Sequence, residues 1–473
     1  MQPLNIVWFR NDLRCLDNAA LSSAIEYSSS RGGDVVALFI ATPDTWAQHD
    51  MAPIKQDLIR RRVQQLQTEL AALHIPLLAI EGHSYLQVPS VFMQLCQQYQ
   101  LNVFVQTEYE LREQQRDHAV EQLLLSSKGQ FIRFDTQCLM PPGSVRTQQG
   151  DIYKVFTPFK RNWLAQLQQQ GVHCYGRPHV QSLPLVTLPA FDTMRSGDNS
   201  STGWTVAETA VLELMRQFCR EKVADYHQKR DFPAIDGTSG LSAYLAIGVV
   251  SAAQCVARLQ LEAKDSWMQE KSGAAVWLSE LIWREFYKHI LVAYPNLIKH
   301  RPFQADTAAI RWHNNELLFQ AWCDGNTGYP IVDAAMRQLN QTGWMHNRLR
   351  MITASFLVKD LHIDWRFGER YFMSKLIDGD FAANNGGWQW AASTGTDAVP
   401  YFRIFNPVSQ SEKFDPQGDF IRLYVPELSH LHGAAVHWPH KLGGVKGYPK
   451  PVVDHAEARK QTLALFTEVK KNL

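Results

Sequence analysis

The chain has 473 residues, more than a single hydrophobic core usually holds together, so two domains are the starting expectation. Its 47 Lys and Arg nearly balance its 46 Asp and Glu, so composition neither indicates nor excludes a nucleic-acid partner, and any basic groove must come from spatial sorting. Seven scattered cysteines with no CxxC pair argue against a disulfide framework or a zinc site, and no signal region or apolar stretch of about 18 residues is present, which predicts a cytoplasmic protein without metal or membrane span.

Short apolar runs open the chain: Asn5 to Phe9, Val35 to Ile40, Pro76 to Ile80 and Asn102 to Val105, with a long amphipathic segment from Pro53 to Leu73. Strands alternating with helices predict a Rossmann-like α/β domain over residues 1–136, built on a parallel, doubly wound sheet. No GxGxxG follows any of these runs, so a nucleotide cofactor is expected in the second half of the chain and not on the first βα turn. Periodicity fades from about Gln137 to Trp204, and Arg195 to Gly203 has a flexible-linker composition, so residues 137–204 read as an interdomain connector. Residues 205–473 are patterned for helices, as in Ala274 to Tyr294 and Met345 to Leu361, and predict an all-α domain.

Nine of the 14 tryptophans fall between Trp267 and Trp390, a density that fits either a large helical core or an aromatic cofactor needing stacking partners. In the run Trp277 to Tyr287, helical spacing puts Glu280, Trp283, Arg284 and Tyr287 on one face. That face reads equally as a surface ion pair beside core aromatics and as a pocket wall with Trp283 as a stacking platform. Asn347, Arg350, Met351 and Ala354 share a face of the next such helix, and this polar strip needs partners, the nearest being the carboxylates of Asp378-Gly379-Asp380. His346 has no second His at ligand spacing and reads as structural. The run Asn384-Asn-Gly-Gly-Trp388-Gln-Trp390 is an odd choice for a packed helix, since two glycines allow close backbone approach to something flat or charged. With the hydroxyl-rich turn Thr238-Ser239-Gly240-Leu241-Ser242, it suggests an aromatic nucleotide cofactor enclosed by helices.

These residues resemble the photolyase and cryptochrome family along essentially the whole chain. VWFRNDLRCLDNAAL, RDFPAIDGTSGLS, WLSELIWREFYKHI, GYPIVDAAMRQLNQTGWMHNRLRMITASFLVKDL and IDGDFAANNGGWQWAASTGTDAVPYFRIFNP look like its signature segments, most similar to the folate-type bacterial pyrimidine-dimer members. The resemblance implies light-driven repair of cyclobutane pyrimidine dimers in DNA with FAD, by a monomer carrying a methenyltetrahydrofolate antenna. The alternative on the same resemblance is a cryptochrome-type blue-light photoreceptor, whose plant members commonly have Asp where this chain has Asn384.

Carried over by motif, Tyr226, Thr238, Ser239, Leu241 and Ser242 would hold the FAD phosphates, and Trp277, Arg350, Asp378, Gly379, Asp380 and Asn384 its other parts, with Asn384 facing flavin N5. Glu280, Trp283, Asn347, Met351 and Trp390 would line the lesion pocket, while Arg230, Arg284, Arg348 and Gln410 would contact DNA nearby. Trp388, Trp365 and Trp312 match the family's electron relay. Glu113 and Lys299 fit the antenna site, as do Thr42, Pro43, Trp46, His49, Met51 and Pro53. Three positions depart from the pattern: Gly240 replaces an Arg in the phosphate turn, and Ile54 and Arg112 stand where Arg and Asn are usual.

Overall fold

The computed structural model describes residues 1–471, which form two compact units. The first comprises residues 1–153, 157–224 and 239–295, and the second residues 154–156, 225–238 and 296–473.

The first unit is built on five parallel strands, β1 (Gln2–Phe9), β2 (Asp34–Ala41), β3 (Leu77–Glu81), β4 (Tyr99–Gln106) and β5 (Gln130–Phe134), in the order β3-β2-β1-β4-β5. β1 lies at the centre, with Val7 opposite Ala37 on β2 and Ile6 opposite Val103 on β4. The inner strands are covered on both faces, and this is why β2 reads as a nearly unbroken apolar run instead of alternating. The expected strands and the doubly wound order are present. The helix expected from Pro53 to Leu73 spans Pro53–Ala71.

Two elements escaped the sequence reading. β5 is a short edge strand, Gln-Phe-Ile-Arg-Phe, in which no side chain is fully buried, so it carries little apolar signal. The stretch expected to be a connector contains the helix Phe156–Gln170. Phe159, Trp163 and Leu167 recur every four residues and are all buried, a helical spacing that was legible.

The boundary at residue 205 also differs from the packing. Residues 205–224 and 239–295 belong to the first unit, because buried charges near the start of the chain reach them. Glu208 accepts from the backbone of Cys15 and Leu16 at 2.8 and 2.9 Å. The fully buried Arg62 donates to the carbonyls of Leu13 and Val206 at 2.9 and 2.8 Å. Gly248 ends the helix Ser242–Ile247 at φ +74, and a Cβ there would lie 2.0 Å from the Asn11 carbonyl oxygen, so both the backbone and the space require glycine.

The second unit is helical. Its core gathers Trp322, Leu349, Phe356, Trp365, Phe372 and Trp388 from the helices Glu316–Asp324, Asn347–Lys359, Trp365–Lys375 and Phe381–Ala391. Gly368 lets the last two helices approach: a Cβ on it would stand 2.1 Å from the Trp388 ring. The Asn-Asn-Gly-Gly run is helical, contrary to expectation. Asp380 caps it by accepting from Ala383 N at 3.0 Å, and burial of Ala382, Asn385, Trp388 and Gln389 offsets the roughly 1 kcal/mol that each interior glycine costs. No helix among the described residues is long and apolar enough to cross a membrane.

Candidate functional site

On the first unit, the helix Gly273–Ala293 buries Trp277, Leu278, Leu281, Ile282 and Phe286. Glu280, Trp283, Arg284 and Tyr287 form the half-exposed face opposite, as their spacing predicts. Trp283 and Tyr287 lie at 5.5 Å between ring centroids with planes 33° apart, offering a broad aromatic surface to a planar partner. Arg284 Nη1 donates to the Gln137 carbonyl at 3.2 Å, so this guanidinium is anchored to the main chain. Trp277 is buried against Phe218, with ring centroids 5.0 Å apart. In the hydroxyl-rich turn, Gly240 adopts φ +64 with nothing within 4 Å of the Cβ position, and Ser239 Oγ accepts from Leu241 N at 3.4 Å.

On the second unit, Arg350 and Asp378 pair as the polar strip required. Arg350 Nη2 reaches the Asp378 carboxylate oxygens at 2.8 and 3.1 Å, and its Nε donates to the Met345 carbonyl at 2.8 Å. Asp378 and Gly379 are buried, and Asp380 is half-buried at the helix cap. Asn384 Nδ2 donates to the carbonyl of Glu369 at 2.9 Å. Asn347 is exposed at the start of its helix, with Met351 half-buried one turn on and Trp390 half-buried on its own helix.

His346 is a structural residue. It caps the helix by accepting from Arg348 N at Nδ1, 3.1 Å away, and burial together with nearby cations lowers its pKa to about 4. Beside it, Asp231 lies 2.8 Å from Arg348 and 3.8 Å from Arg230. The Arg348 guanidinium also covers the Phe414 ring at 4.3 Å, and that of Arg230 covers Tyr226 at 5.4 Å. One carboxylate and two rings thus hold both guanidinium groups in place. Gln410 is half-buried on the helix Pro407–Phe414.

Of the three tryptophans that match the relay by motif, Trp388 and Trp365 are 2% and 1% exposed, while Trp312 is half-buried against Phe466. Trp388 touches Phe372 at 4.9 Å and Trp322 at 6.0 Å, the latter a neighbour that the sequence reading did not single out. Among the described residues, Trp388 Nε1 is buried without a hydrogen-bond partner. Gly387, one turn beyond Asn384, is exposed with open space where a Cβ would stand. An unmatched donor, a carboxylate–guanidinium pair and an open glycine edge make a donor set that fits a flat polar heterocycle such as the ring of FAD.

A separate cluster occupies the first unit. Glu113 Oε1 accepts from Tyr85 OH at 3.1 Å and lies 3.7 Å from His49 Nδ1, while Oε2 is buried without a partner among the described residues. Burial, with Glu110 and Glu108 nearby, pushes the Glu113 carboxyl up to about 8. The Arg116 guanidinium covers both Tyr85 and Trp8, at 4.6 and 4.7 Å, and Arg112 is bound to Gln48 at 2.8 Å. Tyr85 was missed because nothing in its spacing links it to Glu113. Lys299 lies in the second unit and is exposed.

Residues 5–179 match the DNA photolyase domain, and residues 277–468 match the FAD binding domain of DNA photolyase. The deoxyribodipyrimidine photo-lyase of Vibrio cholerae is 54% identical over 99% of this chain and 100% of its own length. The chain belongs to the DNA photolyase family. The photo-lyase of Escherichia coli is 50% identical over 99% of both chains. Among solved structures, a class III photolyase from Agrobacterium tumefaciens superposes with a TM-score of 0.84 at 34% identity, covering 100% of this chain and 98% of that one. A cryptochrome from Synechocystis sp. superposes equally well, with a TM-score of 0.86 at 27% identity over 98% and 99% of the two chains. The photolyase fold therefore does not itself separate repair from signalling. The high identity to photo-lyases over the full chain does.

Proposed function

We propose that this chain carries out light-driven repair of cyclobutane pyrimidine dimers in DNA. FAD, when bound in its reduced form, would supply the light-driven electron transfer that the repair requires. The observation that carries this reading is the full-length identity of 54% to a deoxyribodipyrimidine photo-lyase, supported by the Arg350–Asp378 pair within the FAD-binding segment.

The chain's own residues have three tasks. On the second unit, Tyr226 and Thr238 would hold the phosphates of the cofactor, and Arg350, Asp378, Gly379, Asp380 and Asn384 other parts of it. Arg230, Arg284, Arg348 and Gln410 hold the DNA backbone around the lesion, which gives binding a strong dependence on salt. On the second unit, Asn347, Met351 and Trp390 receive the dimer once it has left the stack, because bases that remain paired are out of reach. Met351 and Trp390 supply apolar surface for the bases, and Asn347 supplies a hydrogen bond that steadies added negative charge on them.

Trp388, Trp365 and Trp312 would pass electrons inward from an external donor at the surface to a bound, oxidised cofactor. The Glu113 cluster of the first unit would bind a methenyltetrahydrofolate antenna, and the protein works as a monomer in the cytoplasm. Irradiating the purified protein with dimer-containing oligonucleotides tests the central reading. Restored thymines under blue light but not in darkness support it, and a product yield equal in light and darkness overturns it.

A further inference from the structure

Arg230 and Arg348 lie on different elements of the second unit, and Asp231 is within reach of both. Its Oδ1 stands 2.8 Å from Arg348 Nη2 and 3.8 Å from Arg230 Nε. The three side chains are between 18% and 34% exposed, so these charges share a patch that solvent, and therefore a polyanion, can approach.

Local structure brings them together. Arg230 ends the short helix Tyr226–Lys229, its N–H reaching the Tyr226 carbonyl at 2.9 Å. Phe232, next to Asp231, packs edge-on against Phe414 with ring centroids 6.5 Å apart, and Phe414 is the ring that the Arg348 guanidinium covers. Two aromatic rings thus carry the carboxylate to its cation. Arg348 Nε is buried without a hydrogen-bond partner among the described residues, so pairing with Asp231 leaves this guanidinium short of its full set of bonds. The neighbouring His346 does not compete for the carboxylate: burial, with Arg350, Arg348 and Arg230 close by, lowers its pKa to about 4 although Asp231 opposes them, and the ring is neutral.

Charge and orientation act on DNA at different distances. Net charge draws in any duplex, damaged or not, and supplies essentially all of non-specific binding. The orientation of a guanidinium matters only once a phosphate docks against it, because the planar fork must face the phosphate oxygens. Asp231 acts on both. It cancels one of the two positive charges, and it fixes how the two groups that carry them are turned.

We propose that Asp231 is a specificity-determining residue for the lesion: it weakens the hold of Arg230 and Arg348 on ordinary duplex while keeping both groups turned toward the phosphates of a closely docked, dimer-containing strand. This rests on the reading that Arg230 and Arg348 contact DNA. Removing the carboxylate strengthens the long-range attraction to every duplex and loosens the short-range fit that only the docked lesion uses, so the preference for damaged DNA falls.

The test measures binding of the flavin-loaded protein, in darkness, to matched duplexes with and without one cyclobutane dimer, by fluorescence anisotropy over a salt series, with thermal midpoints in parallel. Asp231→Asn should bind the undamaged duplex about fivefold tighter, with a salt dependence steeper by about one counterion, and the dimer duplex no tighter than the parent does. Asp231→Glu keeps the charge and should stay closer to the parent's ratio of the two affinities. If Asp231→Asn does not fold, Asp231→Ser carries the same expectation. A ratio in the uncharged variant equal to or above the parent's overturns the proposal, whether the two affinities stay, rise together or fall together with the thermal midpoint. Arg230→Gln and Arg348→Gln, run alongside, separate the two levels, since each should weaken binding to both duplexes and flatten the salt dependence by about one counterion. If they do so while the ratio in Asp231→Asn is unchanged, the role of Asp231 alone is refuted. If neither alters binding, the placement of the two arginines on DNA is refuted as well.

Discussion

Arg350 and Asp378, 28 residues apart, meet through two contacts from one guanidinium nitrogen, at 2.8 and 3.1 Å. The carboxylate is 3% exposed and the guanidinium 26%, so the pair is half-screened, and the Arg350 Nε bond to the Met345 carbonyl fixes its orientation. Breaking one side of such a pair leaves a buried charge without its partner, which is costly in itself. Asp378→Asn should therefore lower flavin content on purification more than it lowers the thermal midpoint. Equal flavin content in the variant and the parent would remove the pair from the cofactor site.

The second prediction concerns Trp388, wedged over Gly368 and ringed by Phe372 and Trp322. Phe in its place keeps most of the aromatic volume but is much harder to oxidise. Trp388→Phe should abolish light-driven reduction of oxidised flavin in the presence of an external donor, while repair by chemically reduced enzyme persists. A merely structural Trp388 would leave photoreduction intact and lower only the thermal midpoint.

What could be read in advance follows from the range of the interactions. The central strands were legible because both faces of a parallel sheet are covered, so Val35 to Ile40 is apolar throughout. The Arg350–Asp378 pair was legible because an amphipathic helix with a polar strip must find carboxylates, and the nearest lay in one short motif. The contact of Glu369 with His300 was not, because 69 residues separate them and neither spacing nor composition links a lone Glu to a lone His. The Asn-Asn-Gly-Gly helix defied local propensity for a tertiary reason: Asn385 and Gln389 satisfy buried neighbours, and the glycines keep one edge bare.

Glu113 gives a pH signature. Its carboxyl is raised from the usual 4.5 to about 8, chiefly by burial, so the folded state holds a proton that the unfolded chain releases. The stability contributed by this group is fully present below pH 4.5 and is lost as pH rises through about 8. Glu113→Gln removes the titration, so its denaturation midpoint should fall less than the parent's between pH 5 and pH 8.5. Parallel curves for the two proteins would show that Glu113 ionises normally. Saturation with methenyltetrahydrofolate should add near-UV absorption and energy transfer to the flavin in the parent, and less of both in the variant.

Glu280 stands on the half-exposed face of its helix beside Trp283. To donate a hydrogen bond to a base carbonyl it must be protonated once a lesion displaces the water around it, since desolvation favours the neutral acid. Glu280→Gln keeps a donor and should retain more repair per bound dimer than Glu280→Ala, by about tenfold if one hydrogen bond to a charged acceptor is at stake. Equal loss in both variants would assign Glu280 an ionic or architectural role.

Lesion choice is the sharpest separation from related repair enzymes. Mending a (6-4) photoproduct moves an oxygen between bases, which demands groups that transfer protons, and the enzymes that resemble this chain and perform it carry two histidines one helical turn apart. Here those positions hold Asn347, exposed at the start of its helix, and Met351, half-buried one turn on. Neither transfers a proton near neutral pH. The adjacent His346 does not substitute: it is 2% exposed, its Nδ1 is committed to the helix cap, and its pKa of about 4 keeps the ring neutral. Opening a cyclobutane ring asks for less, namely an electron in and out, hydrogen bonds to the added charge, and apolar surface for the bases. Asn347 can give such a bond, and Met351 and Trp390 the surface. Matched oligonucleotides carrying one lesion or the other should therefore divide cleanly, with light-dependent repair of the cyclobutane dimer and none of the (6-4) product. Replacing Asn347 and Met351 together by His should not confer (6-4) repair by itself, because the surrounding helix start would still have to tune both imidazoles. Comparable repair of both lesions by the parent protein would mean that a proton donor other than His346 serves the pocket.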